Sequence, residues 1–418
     1  MRPALLLLLT LAASAQQSVR PKDVREAAKA GSSAIPKLQE YLKDPSVDVR
    51  VEAVRQITEI GPPRSLDPLV IATHDNDPEV QIVATDGIVN YYLPGYVKTG
   101  LGASLRRVGT SLKGRFTDTN DQVIDPYLTV RPDVIAALAK LVTSGANMDV
   151  RANAARAVGI LRGRDAVPAL IDATHSKDST LIYESLNSLE KIRDESAGPR
   201  IAFLLHDFDP KVQIAAIQAV GLLRDQQDLP QLVGVLNQSD NIKVKREALE
   251  SAAMLPAESS RPLYQQYLRD KDDKLRAAAA EGFARLKNPR DLPMLEQAWQ
   301  DEQKTSPRLS LAFAQVMLGK TELSEFSPLR FLINNLNSAA YNGIAFPFLV
   351  ELARDPQIRA SLYGPLQTGT KDEKIGLARV LGRSGDAQSI VELQKLTNDP
   401  DANVAQAALT AVRNLQAR

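Results

Sequence analysis

The chain repeats itself about every 31 residues, and no other feature limits its possible folds as strongly. At this period a short polar stretch opens a run of apolar residues spaced three and four apart. Examples are Asp77-Pro78-Glu79-Val80, Asn147-Met148-Asp149-Val150, Asp209-Pro210-Lys211-Val212 and Asp272-Asp273-Lys274-Leu275. The apolar residue three places into each run serves as an anchor. The anchors are Val49, Val80, Val150, Leu181, Val212, Val244, Leu275, Leu309, Tyr341, Glu373 and Val404. Their spacings are 31, 70, 31, 31, 32, 31, 34, 32, 32 and 31. The long spacing marks an insertion, and the charged anchor Glu373 marks a degraded repeat.

Three columns align on the anchors. Three residues before them stand Ser46, Asp77, Asn147, Asp178, Asp209, Asn241, Asp272, Ser306, Ser338, Thr370 and Asp401. Each has a side-chain oxygen able to accept an orphan N–H of a first helical turn. Four and eight residues after the anchors the chain is mostly small or aliphatic, as in Ala154/Val158 and Ala216/Val220. Anchor, +4 and +8 therefore form one helical stripe. Gly61, Gly159, Gly221 and Gly382 fall near the ends of these helices and are expected to terminate them. Each such helix, helix B, follows a helix A with its own stripe, such as Ile35/Leu38/Leu42 or Leu229/Leu232/Leu236. One pair cannot bury both stripes, but stacked pairs share a core.

The period, the Asp-Pro-x-Val-[Arg/Gln]-x-x-Ala start of helix B and the Val/Leu-Gly near its end resemble HEAT repeats. The short HEAT-like kind found in phycobilin lyases and many bacterial exported proteins is the nearest resemblance. It spans nearly all of 34–418. It implies an all-α, right-handed α-solenoid of about ten to eleven stacked helix pairs, and it implies little about function. A coiled coil is disfavoured, because caps and glycines interrupt the pattern and no heptad is sustained.

Outside the repeats, Met1-Arg2, the apolar run Leu5–Leu11 and Ala13-Ser14-Ala15 have the layout of a secretory signal peptide. The expected organisation is a signal peptide over 1–15, a capping helix within 16–33, and a solenoid over 34–418 with an insertion at about 92–131. The expected location is outside the cytoplasm, periplasmic or secreted. The insertion carries a short basic amphipathic segment, Leu101–Lys113, with Arg106, Arg107, Lys113 and Arg115 as candidate contacts to a membrane surface or a partner. Between Phe326 and Gly369 the pattern is irregular. Pro347 falls inside a helix B, and Gly364-Pro365 is expected to break a helix A.

Charge is balanced, with 51 Lys+Arg against 50 Asp+Glu, which is not the basic footprint of a nucleic-acid binder. There is no cysteine, so disulfides, thiolate metal sites and cysteine lipidation are excluded. His74, His175 and His206 all end a helix A. A metal or lyase-like site on His175 and His206 is the alternative reading, but a polar residue closing a helix C-terminus explains the column as well. Gly109–Phe116 has phosphate-loop spacing without the Lys-Ser/Thr that reaches phosphate and magnesium. No Gly-x-Ser-x-Gly elbow occurs. The iron-holding His-Glu pairs of the HEAT-like deoxyhypusine hydroxylases are also missing. Bilin lyase activity does not carry over from the resemblance, because export and the lack of cysteine argue against it.

No catalysis and no cofactor are therefore expected. A protein or peptide partner is expected along the concave helix-B surface. The face opposite the buried stripe reads Arg55, Asp86, Arg156, Asn187, Gln218, Glu250, Glu281 and Gln315 at +6, with Glu52, Asn153, Glu184 and Glu247 at +3. Arg55, Arg156, Asn187, Gln218, Glu250 and Glu281 are the candidate contacts.

Overall fold

All but two of the helices B begin where the cap column places them. The Asp178 carboxylate accepts the Leu181 N–H at 2.8 Å, and the Asn147 side chain accepts the Val150 N–H at 2.9 Å. Asp77, Asp209, Asn241, Asp272 and Asp401 cap their helices in the same way. The residue after the anchor then secures the preceding turn. Arg276 Nη1 donates to the Asp270 carbonyl at 2.8 Å, Arg50 Nη1 to Asp44 at 3.0 Å and Gln213 Nε2 to Leu205 at 2.9 Å. That is the physical content of the Arg or Gln in the repeat signature: its donors satisfy carbonyls left over at the end of helix A.

The computed structural model describes residues 19–97 and 122–417. All regular structure among these residues is helical. The chain forms two compact units that divide between Gly109 and Thr110. In the first, the helix Pro21–Ala28 lies on the helix B Val47–Ile60 and buries Val24. The pair Leu66–Ala72 and Pro78–Tyr92 follows. In the second unit the B helices run Met148–Ile160, Ser179–Ile192, Pro210–Leu222, Ile242–Ala253, Asp273–Leu286, Thr305–Met317, Asn342–Leu352, Lys371–Ser384 and Ala402–Gln416. Each packs against the next, so the B helices form one continuous layer of that unit. The anchors are buried, apart from the half-buried Tyr341.

Glu373, the charged anchor, is only 2% exposed. Its carboxylate reaches back to the Thr370 N–H at 3.1 Å, completing a capping box. It also accepts from Arg330 at 3.0 Å and Asn337 at 3.2 Å. The degraded repeat thus exchanges an apolar anchor for a paired one.

Some expectations change. Ser306 and Ser338 are not caps. One helix begins earlier, at Thr305, with Pro307 in its first turn, where a missing N–H costs little. The other begins only at Asn342, after a turn through Tyr341. Pro347 lies inside its helix as expected, but the following break falls at Leu362, between Pro356–Ser361 and Tyr363–Thr368, and not at Gly364-Pro365. Of the four glycines expected to end helices, Gly61 does so, with a positive φ of 69°. Gly159, Gly221 and Gly382 sit against the next helix B instead. A Cβ on them would come within 2.7–2.9 Å of the Cα of Ser188, Ser251 and Ala411. They are glycine because the layer is tight there.

Candidate functional site

The strip expected to be open is largely closed. Arg156, Asn187 and Glu281 are 4%, 6% and 8% exposed. Glu52, Asn153 and Glu184 are buried as well. Arg55 is half-buried and pairs with Glu79 at 2.9 Å. Gln218 is half-buried, and of the six +6 candidates Glu250 alone is exposed. The cause is the B-on-B packing: +6 of one repeat meets +3 of the next. Arg156 forks onto Glu184, Nε to Oε2 at 3.2 Å and Nη2 to Oε1 at 3.1 Å. Gln218 hydrogen-bonds Glu247.

Further along, the second unit builds an acidic stretch around one arginine. Arg285 pairs with Glu281 at 3.2 Å and with Glu351 at 2.9 Å. The Ser310 hydroxyl donates to Glu281 at 3.1 Å. Burial raises the Glu281 carboxyl, and Glu250 is raised by its surroundings and by Glu247. Glu250 is nonetheless open to solvent, with protein near it on several sides. Glu190 goes furthest, pushed up to about 8 by burial and then by the Glu247 charge, and its Oε1 has no hydrogen-bond partner.

Glu190→Gln should therefore separate from the native chain as pH rises. A folded-state value above the ordinary 4.5 means that the protonated form suits the fold. Stability from this group is full below about 4.5 and declines until pH passes about 8. The glutamine variant keeps the neutral form, so its melting temperature should match the native chain at pH 4 and exceed it at pH 8.5. A gap that does not change with pH would remove this account of Glu190.

The twelfth residue after the anchor escaped the sequence reasoning. It is Gly61 in the first unit, and Arg162, Arg193, Arg224 and Lys287 in the second. All five have positive φ, between 51° and 69°. Arg162, Arg193 and Arg224 are exposed and, among the described residues, engage no acidic side chain in a salt bridge. Protein crowding holds Arg162 and Arg193 below the usual arginine range, and Arg383 repels both. Arg354 and Arg224 repel Arg193 as well. Basic residues from the start and the end of the second unit thus lie within electrostatic reach of one another. Asp125 attracts Arg162 and Arg383. Asp125 comes from the end of the insertion, where Ile124 is buried and its N–H donates to the Ile160 carbonyl at 3.0 Å. A cleft of about 330 Å³ beside it is lined by Asp125, Ile135, Leu161, Arg162, Gly163 and Arg164.

The histidines lie elsewhere. His175 is exposed and stacks on Phe203, with centroids 4.5 Å apart and planes 4° from parallel. His206 is exposed. Among the described residues no group of three His, Asp or Glu could hold a metal ion. No helix among them is long and apolar enough to cross a membrane. Arg106, Arg107, Lys113 and Arg115 lie outside the described residues.

The profile of HEAT repeats matches residues 5–88 and 229–314, and that of the PBS lyase HEAT-like repeat matches 150–175. The chain is a HEAT-like repeat protein. Among solved structures this HEAT-like chain is similar to an engineered protein, at 19% identity and a TM-score of 0.39, over 91% of this chain and 98% of the other. The CpcE–CpcF complex of phycocyanin lyase from Nostoc aligns at 17% identity and 0.39, over 65% and 94%. Human deoxyhypusine hydroxylase aligns at 18% and 0.28, over 69% and 97%. No curated protein sequence matches the HEAT-like chain.

Proposed function

We propose that the protein is an exported scaffold that binds a protein or peptide partner along the helix-B wall of its second unit, with no catalysis of its own. The observation that supports this most is the set of charged side chains that stay exposed on that wall, Arg162, Arg193, Arg224 and Glu250, while most of the +6 column is consumed in packing. A repeat array needs none of those charges to close its core, and adjacent repeats offer similar contacts to an extended partner. Export is supported by the pattern of Met1–Ala15. Mass spectrometry of the native protein recovered outside the cytoplasm should find a chain beginning near Gln16; recovery only with Met1 intact would count against cleavage, and recovery only from the cytoplasm would count against export.

Binding is tested with a photo-cross-linker placed at Glu250 and, as a control, at the exposed Gln297 on a helix A. The partner in a native envelope or secreted fraction should attach at the first position and not the second. Equal capture, or none, would remove the scaffold reading of this wall. Peripheral membrane contact through the insertion is a separate proposal. Liposome co-sedimentation that is unchanged on deleting residues 96–125 would remove it.

A further inference from the structure

We infer that Arg162, Arg193 and Arg224 form a ladder that holds an extended acidic peptide segment with a carboxylate at about every third residue, an inference that rests on the scaffold reading above. Geometry sets the spacing. The three residues occupy one position in successive repeats, 31 residues apart. Packed helices lie about 10 Å apart, so the rungs recur at about that interval. Three residues of a chain in the polyproline II conformation span about 9 Å and complete one turn, so a carboxylate at every third position keeps in step with the rungs and on their side.

The backbone supports a purpose beyond folding. Each rung has a left-handed conformation, with φ of 51°, 58° and 57°. Glycine adopts it most readily, and the equivalent position of the first unit, Gly61, is a glycine that also has positive φ. An arginine in that place gives up conformational ease, and its guanidinium forms no salt bridge among the described residues. The forked donors of arginine suit a carboxylate.

Two neighbours narrow the occupant. Asp125 is the carboxylate that already attracts Arg162, so the ridge draws the kind of group proposed for the partner. Glu190, three residues before the Arg193 rung, attracts it in the same way. Beyond the ladder the wall turns acidic, with Glu247 repelling Glu250. A nucleic acid carries phosphate along its whole length and needs a basic track to match. A peptide can place acids on the rungs and neutral or basic residues beyond them.

The test uses the full chain and fluorescence anisotropy with a labelled peptide of about nine residues bearing aspartate at every third position. The comparison peptide has the same composition with its aspartates adjacent, and an oligonucleotide of equal charge is the third probe. The spaced peptide should bind tightest. The triple variant Arg162→Gly, Arg193→Gly, Arg224→Gly should lose at least about tenfold in affinity, since each exposed pair is worth about twofold to fivefold. Glycine suits the backbone at all three sites, so the variant should melt no lower than the native chain, and the loss is then not one of folding. Asp125→Asn, which removes the competing carboxylate, should tighten binding.

Equal binding by the triple variant, no binding of the spaced peptide, or tighter binding of the oligonucleotide would each overturn the ladder. If the Glu250 cross-link to a native partner persists in the triple variant, the ladder falls and the scaffold stands. If the native chain gives no such cross-link, the scaffold itself falls.

Discussion

Arg156→Ala should destabilise the second unit locally by about 3–5 kcal/mol. Arg156 and Glu184 are each 4% exposed and joined by two hydrogen bonds. A pair at the surface would be worth no more than about 1 kcal/mol, because water and salt screen it. Here truncation leaves a carboxylate shut away from solvent with its countercharge gone, and the desolvation cost is no longer offset. Glu184→Ala should also destabilise, by removing the buried carboxylate that the guanidinium forks onto. The double replacement Arg156→Met, Glu184→Leu strands nothing and should come close to native stability. A repeat array can open in parts, so the measurement is hydrogen exchange over residues 148–192 and not a single melting curve. Protection unchanged in Arg156→Ala would mean that the pair does not hold the seam.

The fold was legible because its rules are local and repeated. A cap oxygen, an apolar stripe and a fixed period are written into each repeat, so an error at Ser306 or Ser338 shifted one boundary and left the array intact. The candidate wall was less legible, for a reason that Arg156 makes plain. A helical wheel places +3 and +6 away from the buried stripe and so predicts an open face. It carries no knowledge of the neighbouring helix B, which covers part of that face and turns Arg156, Asn187 and Glu281 into packing residues. Even so, the one match of a +6 arginine to a +3 glutamate across the seam, Arg156 to Glu184, is visible once adjacent repeats are read together.

Arg162, Arg193 and Arg224 show the opposite case. Their column was in the sequence but lay past the last helical turn, where the amphipathic pattern stops and attention goes to glycine. Gly61 has a positive φ in one repeat, and three arginines have a positive φ at the same position in others. The approach of Arg383 to Arg162 and Arg193 could not be read from sequence at all, because it depends on how several repeats accumulate their rotation.

Gly159→Ala and Gly234→Ala should change stability in opposite directions. Both residues lie inside helices, Met148–Ile160 and Leu229–Gln238. In a helix interior alanine is ordinarily better than glycine by about 1 kcal/mol. At Gly234 nothing lies within 4 Å of the added Cβ, so that gain should be seen. At Gly159 the Cβ would lie 2.4 Å from the Ser188 Oγ and 2.7 Å from its Cα. The hydroxyl cannot swing away freely, because it donates to the Ala155 carbonyl at 2.8 Å. The Ser188 backbone can retreat only if the helix Ser179–Ile192 moves with it. Such overpacking costs about 1–3 kcal/mol, enough to cancel the helix gain and leave a net loss. The bulkier Gly159→Val should cost more. Ser188→Gly, added to Gly159→Ala, removes the Oγ but leaves the backbone of residue 188 as close as before, so it should recover part of the loss and not all of it. If Gly159→Ala proves as stabilising as Gly234→Ala, the two B helices do not touch there, and the close-packed layer that carries the candidate wall is wrong at its tightest point.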